Sequence, residues 1–120
     1  MPTSQTKRGY SAARFDLIKS DVLKNLRRPD LTIDLIARAH GLSPRQAQRF
    51  FAHSGMTFTE FVLEQRLSLA HRLLCDARFR HRKVSDIAYS SGFGDLSYFN
   101  REFRRRFGDT PTALRGTNSA

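Results

Sequence analysis

The chain has 120 residues, enough for one compact domain or two very small ones sharing a core. Its 21 Lys+Arg against 11 Asp+Glu give a formal net charge of +10, which calls for an anionic partner: nucleic acid, an acidic membrane surface or an acidic protein. At 39% hydrophobic with 10 Phe it can fold, no apolar run approaches the ~18 residues of a membrane span, and one cysteine, Cys75, excludes an internal disulfide and a cysteine-based zinc framework.

The first residues, MPTSQTKRGYSA, are polar, aperiodic and without the apolar segment of a secretory signal. They read as a flexible leader over 1–12 of a cytoplasmic protein. From about Arg14, Phe15, Ile18, Val22 and Leu26 recur at helical spacing until Pro29. Thr32 can cap a short helix carrying Ile33, Ile36 and Ala37 that stops at Gly41. In SPRQAQRFFAHSG, Ser43 as N-cap, Pro44 as first helical residue and Gln46 closing a capping box predict a helix ended by Gly55. Thr57 and Glu60 form a second capping box, opening a long helix through about Asp76 with Leu63, Leu67, Ala70 and Leu74 on one face.

ARFRHRK, Ala77 to Lys83, reads as a basic loop, and VSDIAYSSGF as a short helix ending at Gly92. Asp95 can cap the next helix, where Phe99, Phe103 and Phe107 recur every four residues and Asn100, Arg101, Arg104, Arg105 and Arg106 lie between them. Thr110 and Pro111 begin a last short helix, and the tail over 116–120 reads as frayed. The expectation is an all-α fold of seven helices.

The chain also repeats itself. Ile36-Ala37 and Gly41-Leu42 recur as Ile87-Ala88 and Gly92-Phe93; Arg49 and Phe51 recur as Arg101 and Phe103, and Gly55 and Thr57 as Gly108 and Thr110. Each copy is a short helix, a glycine-led turn and a second helix with a Phe-lined face, the layout of a helix-turn-helix. The predicted organisation is a first helix-turn-helix subdomain over 13–56, a connecting helix over 57–76 and a second subdomain over 77–115, a homeodomain-like pair. At ~1.5 Å per residue the connecting helix spans close to ~30 Å, near the ~34 Å between successive major-groove faces.

VSDIAYSSGFGDLSYFNREFRRRFGDTPTALR carries I-A, G-F, S-x-F, R-x-F, F-G, T-P and a final Arg, and Arg66-Leu67, Ala70 and Leu73-Leu74 carry R-L-x-x-A-x-x-L-L. In these motifs the chain resembles the AraC/XylS transcriptional regulators over roughly Phe15 to Arg115. Two departures, Ala47 for a larger aliphatic and Leu114 for a Tyr before Arg115, fall on core positions. Many members carry an N-terminal effector-binding or dimerisation domain; this chain is similar to a short stand-alone member or to the DNA-binding half of a longer regulator. A small-molecule effector is implied only where such a domain exists.

Helical rotation puts Ala47, Phe50 and Phe51 on one side of the first recognition helix, with Arg45 and Arg49 opposite and Gln48 on the flank. Arg can grip guanine and Gln or Asn adenine with paired hydrogen bonds. The resemblance supports Arg45, Gln48 and Arg49, then Ser97, Asn100 and Arg101, as base readers. Arg104 and Arg105 lie further along and suit phosphates, as do Arg82 and Lys83 in the basic loop. Arg106 rotates back to the rim, where it can pair internally, and Arg66 suits ordering the interface between the halves. Cys75, four residues after His71, reads as a buried or partly buried thiol rather than a metal or redox pair.

The expected function is sequence-specific binding of double-stranded promoter DNA and, as the resemblance implies, recruitment of RNA polymerase by an activator. No cofactor, metal or membrane is expected, and the four His residues form no ligand spacing that would suit an enzyme. Charge alone also fits a sequence-independent architectural DNA-binding protein or an RNA-binding protein. A helix-turn-helix whose second copy contacts protein instead of DNA is a further alternative.

Overall fold

The computed structural model of the chain describes residues 3–118, and the side chains of 9–116. Among the described residues there are seven α-helices and no strand: α1 Thr3–Lys24, α2 Ile33–Ala39, α3 Pro44–His53, α4 Phe58–Cys75, α5 Val84–Ser90, α6 Leu96–Phe107 and α7 Pro111–Asn118. One 3-10 turn, Ala77–Phe79, follows α4. None of the described helices is long and apolar enough to cross a membrane.

The ends of the helices follow from short-range chemistry. Thr32 Oγ1 accepts the Leu35 N–H, Ser43 Oγ accepts the Gln46 N–H while Gln46 Oε1 accepts the Ser43 N–H, and Thr57 and Glu60 make the same reciprocal pair. Asp95 accepts the Tyr98 N–H and Thr110 the Ala113 N–H. Each bond satisfies a donor that the helix itself leaves without a partner.

The first and last helices reach further toward the termini than the sequence pattern marks. The stretch expected as a flexible leader is helical from Thr3, and Met1 and Pro2 lie outside the described residues. Residues 9–13 are exposed, so that part of α1 has no buried face to generate a hydrophobic period. Once the later turns are fixed by packing, adding a turn needs only helix-tolerant residues such as Ala12 and Ala13. The last helix likewise continues past Gly116 to Asn118, and Ser119 and Ala120 lie outside the described residues. At its other end α1 stops at Lys24, short of Pro29, with the Asn25 side chain bonded to the Asp21 carbonyl at 2.8 Å.

The chain forms two compact units. The first holds the chain up to Asn25 and Asp30–Glu60; the second holds Leu26–Pro29 and everything from Phe61 on. In the first, Ile18, Val22, Ile36, Ala37, Ala47 and Phe51 are buried. Phe51 meets Phe15 edge-on at 5.1 Å and Phe58 at 5.5 Å between ring centroids. Polar ties join α1 to α2: Arg14 donates to the His40 carbonyl at 2.8 Å, and His40 Nε2 lies 3.0 Å from Asp21 Oδ2.

In the second unit Leu67, Ala70 and Leu74 of α4 pack with Ile87, Ala88, Phe93, Phe99 and Phe103, flanked by half-buried Leu96, Phe107 and Leu114. Successive rings touch from Phe93 to Phe99, Phe103 and Phe107 at 4.9, 5.5 and 4.7 Å. Fully burying one such side chain contributes roughly 1.5–3 kcal/mol. The Phe stripe of α6 is therefore core.

The internal repeat is visible in the turns. Leu42 N–H donates to the Ala37 carbonyl and Phe93 N–H to the Ala88 carbonyl, at 2.8 and 3.1 Å. Gly41 and Gly92 precede these residues with φ of 67° and 101°, a left-handed conformation that glycine adopts without a side-chain clash. Both turns close by the same bond.

Candidate nucleic-acid interface

α3 and α6 are the second helices of the two helix-turn-helix copies. Ala47 and Phe51 bury one face of α3, and Phe99 and Phe103 bury one face of α6. Arg45, Gln48 and Arg49 are all exposed, as are Ser97, Asn100 and Arg101. Counted from Pro44 and Leu96, both triplets occupy the second, fifth and sixth residues of their helices. A constant separation of 52 relates each member of the first triplet to its counterpart in the second. The two exposed surfaces are thus in the same register relative to their caps.

The chemistry available on the two surfaces differs. α3 carries no acidic residue, and among the described residues neither Arg45 nor Arg49 forms an ion pair or side-chain hydrogen bond. The Gln46 amide oxygen is occupied by the capping box. Phe50, expected on the buried side, is half-buried: it stacks on Phe15 at 6.0 Å. Both line an open cleft of about 510 Å³, bordered also by Arg49 and His53.

On α6, by contrast, Arg101 Nε lies 3.8 Å from Glu102 Oε2 and Arg105 Nη1 lies 3.7 Å from Glu102 Oε1. The Arg101 guanidinium also sits 5.7 Å from the centre of the Tyr98 ring. Arg104 is exposed. Arg106 turns back to pair with Glu64 at 2.9 Å, and that bond raises the guanidinium's pKa further above its already high value.

The basic loop is more structured than its composition suggests. Asp76 caps the 3-10 turn through the Arg78 N–H and grips the Arg78 guanidinium at 2.7 Å. These bonds hold the Asp76 carboxyl below the usual carboxylate range. Arg115 donates to the carbonyls of Arg82 and Phe79, pinning the loop to α7. Arg82 and Lys83 remain exposed, with Arg82 reaching Ser90 Oγ at 3.3 Å.

Arg66 donates to the carbonyls of Leu26 and Arg28 at 2.9 and 2.6 Å, all within the second unit. Burial lowers its pKa, as expected for a charge removed from water. Cys75, the last residue of α4, is exposed rather than buried. Its sulfur lies 3.9 Å from His71 Nδ1.

The family model for a helix-turn-helix domain matches residues 36–117, spanning both copies. The chain is 45% identical over 102 residues to the transcriptional activator RhrA of Rhizobium meliloti, covering 85% of this chain and 32% of that protein. It is 34% identical over 116 residues to the HTH-type transcriptional regulator GlxA of the same organism, covering 91% and 35%. A solved transcriptional regulator from Chromobacterium violaceum, described as AraC-type DNA-binding domain-containing, superposes with a TM-score of 0.77 at 26% identity, covering 92% of this chain and 96% of that one. The chain belongs to the AraC/XylS family.

The AraC-type fold also matches the C-terminal domain of the response regulator yesN of Fusobacterium nucleatum, at a TM-score of 0.75 and 25% identity over 83% of this chain and 95% of that one. The chain spans about a third of the length of RhrA and GlxA. The AraC/XylS family consists of DNA-binding transcription regulators, which are not enzymes.

Proposed function

We propose that this chain is the sequence-reading element of a transcription activator, with α3 and α6 entering successive major grooves of one asymmetric site of about two helical turns. The observation that carries this reading is the shared register of the two exposed triplets, each opposite a buried aromatic face. In it, Arg45, Gln48 and Arg49 read base edges in one block, and Ser97, Asn100 and Arg101 in the other. Arg104, Arg105, Arg82 and Lys83 contact phosphates and set orientation without reading sequence. The exposure of all ten side chains fits these roles. The relatives named as activators support the positive sign of regulation, and RNA polymerase is the partner such an activator would recruit.

The test is selection of bound sequences from a random DNA pool, followed by affinity for the selected site across salt concentrations. Two enriched blocks about one helical turn apart are expected. A single block would remove α6 from base reading. No enrichment, with affinity that only collapses as salt rises, would overturn the reading in favour of an architectural binder.

A further inference from the structure

The two recognition helices differ at the residue that follows Arg49 in one and Arg101 in the other. Glu102 of α6 corresponds in register to Phe50 of α3. Its side chain is only 12% exposed, whereas those of its two partners, Arg101 and Arg105, are 61% and 75% exposed. A carboxylate tucked beneath two outward-facing guanidinium groups is thus built into the second copy and absent from the first.

We infer that Glu102 is a positioning residue that sets the specificity of the second helix, an inference that rests on α6 reading bases as proposed above. Arg101 has Glu102 on one side and the Tyr98 ring on another. A guanidinium restrained in this way loses less freedom when it meets a guanine edge than one that moves freely in water. Arg105 shares the same carboxylate, so part of its charge is offset before any phosphate arrives. Glu102 also repels the DNA backbone, a penalty that falls equally on every sequence. Orientation is therefore gained and indiscriminate attraction lost. Among the described residues, Arg45 and Arg49 of α3 have no such carboxylate beside them.

The opposing effects give a test that loss of folding cannot imitate. In the whole chain, Glu102→Gln keeps the shape and removes the charge; Glu102→Leu avoids a buried amide and resembles the apolar Phe50 position. Binding is measured to the selected site, to that site with single base pairs changed in each block, and to random-sequence duplex, across salt. Both variants should bind random duplex about two- to fivefold more tightly, with a steeper salt dependence. Discrimination at the base pair read by Arg101 should fall by a similar factor, while that at the Arg45 block is unchanged. A second block read equally well by wild type and both variants overturns the role of Glu102 and leaves base reading by α6 standing. A wild-type chain with no preference at the second block overturns both.

Discussion

Arg66 occupies the space that a side chain at residue 92 would need. A β-carbon on Gly92 would lie 2.6 Å from Arg66 Nε, with the Leu26 carbonyl oxygen closer still, and the residue has φ of 101°. At the corresponding Gly41, φ is 67° but a β-carbon would meet nothing within 4 Å. The same glycine in two copies of one motif thus has two different reasons to be there. Gly41→Ala should cost about 1–2 kcal/mol, the strain of a left-handed alanine. Gly92→Ala should cost about 2–5 kcal/mol because overpacking adds to that strain. Denaturant unfolding of the two variants measures the difference, and equal losses would refute it.

Arg66→Met tests the other half of the same junction. Methionine restores much of the stem's apolar packing but leaves the Leu26 and Arg28 carbonyls without these donors. A loss of about 1–3 kcal/mol is expected, with unfolding still cooperative. A neutral result would mean that water satisfies those carbonyls equally well.

Ser43→Ala opens the capping box of α3 and should cost about 0.5–2 kcal/mol. It also loosens the turn that carries Arg45. Amide exchange at the start of α3 should accelerate before any change at α6. Protection unchanged at Gln46 and Ala47 would count against the cap as the element that fixes this end.

Acid should release the cap of α4. Hydrogen bonds from Thr57, the backbone N–H above all, hold the Glu60 carboxyl below the ordinary glutamate range. A carboxyl with a depressed folded pKa contributes stability above its unfolded value and loses that contribution as pH falls through the folded one. Glu60→Gln should therefore be less sensitive than wild type to acidification across that window, followed as melting temperature from about pH 6 to about pH 3. Parallel curves for the two proteins would show that the cap does not titrate. The lowered Asp76 carboxyl contributes in the same direction to both curves.

The exposed Cys75 should react with a thiol reagent in the folded chain without denaturant. Modification that waits for denaturant would show that the sulfur is shielded.

What was legible in the sequence was mostly local. Ser43 and Gln46, Thr57 and Glu60, and Asp95 act within three residues of themselves, so their spacing carries the whole interaction. The Phe99–Phe103–Phe107 stripe similarly reports one helix against its core. The upstream turns of α1 leave no such mark, because exposed residues 9–13 have no apolar period to display. Arg66 and Arg115 bind backbone carbonyls 33 to 40 residues away, and a carbonyl acceptor leaves no mark in the residue type. Glu102 is silent in the sequence for a different reason: as one acid among arginines it reads as a solvated charge, and only its low exposure beside Arg101 and Arg105 sets it apart.

The internal bonds of the arginines bear on how this chain meets a polyanion. Arg14, Arg66 and Arg115 are spent on carbonyls, and Arg78 and Arg106 on carboxylates. They still count toward the formal charge of +10, but their tips are anchored to protein. Counterion release follows the phosphates engaged, at about 0.9 ion per contact on B-form DNA. The chain therefore behaves toward its ionic atmosphere as a smaller cation than its composition declares: its bulk charge attracts from a distance, and only the unanchored guanidinium and ammonium groups displace ions on contact.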